Sequence, residues 1–205
     1  MNALQQTAGR RRGEAAEQTR EKILRAAVAE FGAKGYAGAR TAGIAARAGV
    51  NQQLISYYFG GKQGLLDELR RRWAATEAAA VPSDASFADA VSGYLDVTLE
   101  QPDWARLMIW QGLGDGHAGG EHDGAQRVKL QDAVERLRRR QADGEVTDEL
   151  DAEFLLLIAY AVAFAPIALP GVVSGIFGVD PLSAEYRDRC SEQLRRLAEP
   201  GGVRE

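Results

Sequence analysis

The chain has 205 residues, 45% hydrophobic and 26% charged, which gives the length and apolar content for a buried core and excludes a collagen-like, disulfide-stapled or disordered chain. The net charge of −4 is uneven: 10 Lys/Arg against 4 Asp/Glu through Lys62, then 15 against 25, so an acidic total does not exclude nucleic acid. Cys190 has no second cysteine to pair with, His117 and His122 are too few for a metal cage, and the polar then basic N-terminus lacks a secretory apolar region, so a cytoplasmic protein is expected.

Alanine fills 35 positions and aromatics only 7%, a balance that favours helix over sheet. Residues 1–18, with Arg10, Arg11 and Arg12, lack hydrophobic periodicity and are expected to be a flexible basic arm. Between Thr19 and Lys34, Ile23, Leu24, Ala27, Val28 and Phe31 recur on one face, an amphipathic helix that Gly35 stops. Thr41 caps a short second helix to Ala48, and Gly49 supplies a turn. On a helical wheel, residues 50–58 then separate Val50, Leu54, Ile55 and Tyr58 from Gln52, Gln53 and Ser56, with Tyr57 at the rim. Gly60-Gly61 ends that helix and Lys62 opens a fourth, to about Glu77, with Leu65, Leu66, Leu69 and Trp73 inward.

Further on, Ser86 caps a helix carrying Phe87, Val91, Tyr94 and Leu95, and another follows from Asp103 to Leu113. Residues 112–124 hold six glycines and read as a mobile loop, followed by an amphipathic helix to about Gln141. Asp148–Ala165 reads as a strongly apolar helix that Pro166 and Pro170 kink or end, and a last helix over 182–198 presents Tyr186, Cys190, Leu194 and Leu197 on one face. The expectation is an all-α chain of about nine helices and no strand.

Two short helices joined by a tight glycine turn and backed by a third form a helix-turn-helix, whose second helix enters a DNA major groove. Asn and Gln match the adenine N6/N7 edge, and residues 31–62 contain no carboxylate to repel phosphate while Lys34, Arg40, Arg47 and Lys62 attract it. Asn51 has a second reading as the N-cap of its helix.

The blocks Ile23-Leu-Arg-Ala-Ala27, Phe31-Gly-Ala-Lys-Gly-Tyr36, Thr41-Ala-Gly-Ile-Ala45, Ala48-Gly-Val50 and Ile55-Ser-Tyr-Tyr-Phe-Gly-Gly-Lys62, then Leu65-Leu66, resemble the tetracycline-repressor (TetR) family of bacterial regulators over residues 19–66. The resemblance implies a homodimer with an N-terminal DNA-binding domain (19–66) and a C-terminal domain for ligand binding and dimerisation (67–205). By position it makes Thr41, Tyr57 and Lys62 phosphate contacts and Gln52, Gln53 and Asn51 base readers; Arg40, by its charge, and Ser56, by its place on the polar side of the wheel, complete the DNA-binding set. Ser56 stands where the family often has an aromatic and Gln52-Gln53 where it often has a Lys-Gly-like pair, so no operator sequence carries over.

Phe87, Tyr94, Trp104, Met108, Trp110, Tyr160 and Phe164 are the candidate effector pocket, and the absence of charge among them points to an apolar or aromatic small molecule. Phe154, Ile158, Tyr186, Cys190, Leu194 and Leu197 are the candidate dimer face. Residues 154–179 are uncharged, but internal Pro166, Pro170 and Gly171 and flanking Asp151, Glu153 and Asp180 favour a buried helix over a membrane span. Asp115–Asp123 holds metal-compatible side chains without fixed spacing, so no metal or other cofactor is expected, and no constellation supports catalysis. The rival reading is a small-molecule-binding dimeric adaptor that no longer binds DNA.

Overall fold

The computed structural model describes residues 2–82, 84–114 and 121–200, with backbone alone for residues 2–12, 121–123 and 125. Among the described residues there are ten helices and no strand, and they fall into two compact units, Met1–Ala74 and Ala75–Glu205.

The first unit holds α1 (Asn2–Gly38), α2 (Thr41–Ala48), α3 (Gln53–Phe59) and the start of α4 (Lys62–Ala80). Helix α1 begins at Asn2, so residues 2–18 are helical where a flexible arm was expected. Alanine, glutamate and glutamine dominate 14–18, and their helix propensity carries the backbone even without an apolar stripe. The side chains of Arg10, Arg11 and Arg12 lie outside the described residues. At Gly35 the helical run breaks, with φ 67° and ψ 175°, where the sequence placed its stop. The expected stripes close one core: Ile23, Leu24, Ala27 and Phe31 meet Ile44 and Ala45, Ile55 and Phe59, and Leu65, Leu66 and Leu69, all buried. Each such isoleucine, leucine or phenylalanine contributes about 1.5–3 kcal/mol on leaving water, which anchors helices of eight and seven residues that would not persist alone. Arg20 braces the rim, its guanidinium 5.0 Å from the Phe59 ring centroid.

In the second unit, α5 (Phe87–Glu100) packs on α8 (Ala152–Ala168) and α10 (Ala184–Ala198), with α6 (Pro102–Gly112), α7 (Glu121–Ala142) and α9 (Pro170–Phe177) around them. The Ser86 hydroxyl accepts the Asp89 N–H at 3.1 Å, the cap its sequence position suggested. Val91, Leu95, Ala163, Val173, Tyr186, Cys190 and Leu194 form one core cluster, and Leu137, Val146, Ala152, Leu155 and Ala198 a second.

Three expectations change here. The apolar helix starts at Ala152 rather than Asp148, because Thr147 N–H bonds the Ala198 carbonyl at 2.8 Å and the Gln141 amide donates to the Thr147 and Leu150 carbonyls, each at 2.7 Å. Pro166 is absorbed within α8, and Pro170 instead begins α9, an unanticipated helix bent 102° from α8. The proposed loop 112–124 reaches the structure only at its edges, since α6 runs to Gly112 and α7 begins at Glu121; residues 115–120, including His117, lie outside the described residues. No single described helix is long and apolar enough to cross a membrane.

Candidate nucleic-acid interface and a cavity in the second unit

Between α2 and α3, Gly49 takes φ 68°, a left-handed conformation that a side chain would strain, and its N–H bonds the Ala46 carbonyl at 3.2 Å. The chain reverses in three residues, and Val50 N–H reaches back to Ala45 O at 3.0 Å. Asn51 Oδ1 then accepts the Gln53 N–H at 2.8 Å, so the capping reading of Asn51 is realised. With Ile55 and Phe59 buried beneath α3, Gln52, Gln53, Ser56 and Tyr57 face solvent, and Tyr57 is 79% exposed.

The flanking residues are organised around this strip. Thr41 is the first residue of α2 rather than its cap. Arg40 holds the cap position with extended backbone, and the Thr41 hydroxyl accepts from the Gln52 amide at 2.9 Å, tying a phosphate candidate to a base-reading candidate. The Lys62 ammonium sits 4.3 Å from the centroid of the Tyr36 ring, whose hydroxyl donates to Gln63 at 2.9 Å, so a cation is held over an aromatic face at the start of α4. Arg40 is exposed.

Glu30 was not anticipated as part of this arrangement. It is buried to 2% exposure, salt-bridged to Lys34 at 2.6 Å and to Arg47 at 3.7 Å. The Lys34 hydrogen bond foremost, with the Arg47 charge and the Arg40 backbone N–H, outweighs burial and holds its carboxyl below the ordinary range. Its charge is thereby neutralised inside the unit, leaving an outer surface over residues 31–66 without carboxylates. The sequence signal was a lone acid on the apolar side of α1, four residues before Lys34.

The second unit contains a cavity of about 400 Å³ between α5, α7 and α8, closed by the end of α4. Phe87, Tyr94 and Tyr160 line it as expected; Trp104, Met108, Trp110 and Phe164 do not. Trp104 is buried in packing instead, Trp110 is 40% exposed, and Phe164 stacks behind Tyr160 with centroids 6.1 Å apart. The expectation of an uncharged pocket is also corrected, because Glu77, Lys129, Arg136 and Arg140 share the lining. Tyr94 donates to Glu77 Oε1 at 2.6 Å, Lys129 bonds Glu77 Oε2, and the Tyr160 and Tyr94 hydroxyls lie 3.5 Å apart. Burial foremost, then the Tyr160 and Glu77 neighbours, pushes the Tyr94 hydroxyl far above the usual tyrosine range, so it remains a donor at neutral pH.

The candidate dimer residues divide. Tyr186, Cys190 and Leu194 are buried in their own subunit's core, with Ile158 and Leu197 packed against it, because α10 covers α5. The Tyr186 hydroxyl donates to the Val162 carbonyl at 3.1 Å, fixing it inward. Only Phe154 faces out, beside Leu157 of α8 and Leu169, Val172 and Ile176 at and beyond the bend, each at least 48% exposed. Among the described residues no cluster of His, Cys, Asp or Glu is placed to hold a metal.

Known sequences fit both units. Residues 23–69 match the family model of bacterial regulatory proteins of the tetR family, and residues 87–198 match a tetracyclin repressor-like C-terminal domain. The chain belongs to the TetR family. As a TetR-family member it is a DNA-binding transcriptional regulator. It is 33% identical over 192 residues to the HTH-type transcriptional repressor SCO4008 of Streptomyces coelicolor, covering 89% of this chain and 96% of that one. It is 43% identical to the HTH-type transcriptional repressor NicS of Pseudomonas putida over 54 residues, 26% of each chain. Among solved structures, the regulator SCO4942 from Streptomyces coelicolor superposes with TM-score 0.72 at 23% identity, covering 88% of this chain and 98% of that one. The ketosteroid regulator KstR2 of Mycobacterium tuberculosis gives 0.66 at 15% identity, covering 88% and 94%. At these identities the structural likeness speaks for the TetR fold.

Proposed function

We propose that the chain is the subunit of a homodimeric repressor. Two copies of α3 enter successive major grooves of a pseudo-palindromic operator, about 34–36 Å apart, and a small effector in the second-unit cavity releases the DNA. One observation carries the DNA reading: Gln52, Gln53, Ser56 and Tyr57 stand outward on a helix pinned by Ile55 and Phe59, Gln52 is bonded to Thr41, and residues 31–66, Arg40 and Lys62 among them, contain no carboxylate. Gln53 is the base reader, its amide able to donate and accept at one purine edge. Gln52, bonded to Thr41, positions that hydroxyl toward phosphate until DNA competes for its amide. Lys62 pairs with phosphate as a point charge at a helix N-terminus.

The second copy covers the outward apolar row of Phe154, Leu157, Val172 and Ile176, which a lone subunit leaves in water. Helix α4 carries Lys62 at its first residue and Glu77 near its last turn, so it belongs to both the proposed phosphate contact and the cavity wall. An effector that favours the α4 position unsuited to the operator lowers DNA affinity by its differential binding, typically about 1–3 kcal/mol. Repression is the sense supported by the name of the full-length relative SCO4008.

Selection from a pool of random duplexes with the purified chain tests this function. Enrichment of a dyad-symmetric site is expected; recovery of unrelated sequences at equal affinity would refute it.

A further inference from the structure

The cavity's charge pattern identifies the kind of molecule it takes; this rests on reading that cavity as the effector site. Its walls differ by helix. Helices α5 and α8 supply Phe87, Val91, Tyr94, Ala159 and Tyr160, whereas α7 supplies Lys129, Arg136 and Arg140. These three lie at i, i+7 and i+11 on one helix face, forming a cationic edge along an apolar slot of about 16 Å at 1.5 Å rise per residue.

The three cations are not equivalent. Lys129 bonds Glu77 Oε2, and Arg140 donates to the Ala85 carbonyl and lies 4.0 Å from Glu145. Arg136 has no hydrogen-bond or ion-pair partner among the described residues. It lines the cavity from α7 while remaining exposed, and its charge acts on the Tyr160 hydroxyl, which burial raises and Arg136 partly draws back down. Glu77, the one acid in the lining, has Oε1 occupied by Tyr94 and Oε2 by Lys129. A cationic ligand would have to displace bonded donors while sitting near a free guanidinium. An anion needs to displace only water.

We propose that the effector is an amphipathic anion, with a compact apolar or aromatic body held between α5 and α8 and one carboxylate, sulfonate or phosphate group paired with Arg136. Arginine suits this task because its planar donors engage two oxygens of an oxyanion at once.

Fluorescence titration of the full-length protein with 8-anilinonaphthalene-1-sulfonate and its uncharged parent N-phenyl-1-naphthylamine tests the proposal. A third dye carries trimethylammonium in place of the sulfonate. The anionic dye is expected to bind roughly tenfold more tightly than the neutral one, the gain of a charge-assisted pair. That ratio should collapse in Arg136→Gln and persist in Arg136→Lys, and Ala159→Trp, which fills the slot, should abolish binding of both dyes. Thermal melting confirms that each variant is folded. Equal affinity for the anionic and neutral dyes, with both blocked by Ala159→Trp, would overturn the anion assignment and leave the effector site standing. Tightest binding by the cationic dye would overturn it likewise. Dye binding untouched by Ala159→Trp would overturn the effector-site reading, and this proposal with it.

Discussion

Replacing Glu30 by glutamine removes one buried charge and almost no volume. In the native unit the carboxylate is salt-bridged to Lys34 and Arg47 and accepts the Arg40 N–H. Breaking a fully buried ion pair costs roughly 3–5 kcal/mol because the orphaned partner stays buried. Here the side chains of Lys34 and Arg47 are 54% and 51% exposed and return to water when released. What remains is the loss of charge-assisted bonding at an interior acceptor, about 1–2 kcal/mol. Urea unfolding of wild type and Glu30→Gln, followed by far-ultraviolet circular dichroism, measures it. The carboxyl is held below its ordinary value of 4.5, so its stabilisation is complete above the unfolded value and lost as pH falls through the lower folded one. The gap between the two proteins should therefore be full at neutral pH, begin to close only as pH falls through 4.5, and vanish below the lower folded value. Equal stability at neutral pH, or a gap that persists undiminished in acid, would refute the assignment of Glu30 as a buried, ionised partner of Lys34 and Arg47.

Three further outcomes follow from the geometry. Lys62→Ala should weaken binding to every duplex and reduce the slope of log affinity against log salt by about 1 per subunit, whereas Gln53→Ala should cost about 1–3 kcal/mol at one operator position only; gel-shift titrations at several salt concentrations separate the two. Gly64→Ala should destabilise the first unit strongly, because a Cβ there would overlap the Phe59 carbonyl oxygen and backbone must move; thermal melting reads this. If the proposed dimer forms through this face, Leu157→Glu with Ile176→Glu should give a monomer in sedimentation experiments without lowering the melting temperature of the chain, since both positions are exposed in it at 64% and 73%.

Much of the first unit was legible because its signals are local. The stripe from Ile23 to Phe31 needs only a helical period, and the turn at Gly49 and the cap at Asn51 are fixed by backbone conformation and a two-residue hydrogen bond. Periodicity in α10 correctly marked Tyr186, Cys190 and Leu194 as an apolar face, but a face does not say what covers it. The subunit's own α5 does, which leaves the α8 and α9 residues outside. The cavity was half legible for a related reason. Aromatic residues announce packing in general, so Trp104 and Phe164 were indistinguishable from Tyr94 and Tyr160. Lys129, Arg136 and Arg140 read as an ordinary solvated helix face until the fold set them beside apolar walls. The Gln52–Thr41 bond joins residues eleven positions apart and depended on the inter-helix angle.

Hydroxyl-radical footprinting of the selected duplex with the full-length protein probes the central claim most directly. Two matched protected patches, one helical turn apart and related by a dyad, should appear in wild type, and the base preference beneath them should blur in Gln53→Ala. A single unpaired patch, or uniform protection indifferent to Gln53, would contradict the assignment of α3 as the element that reads DNA.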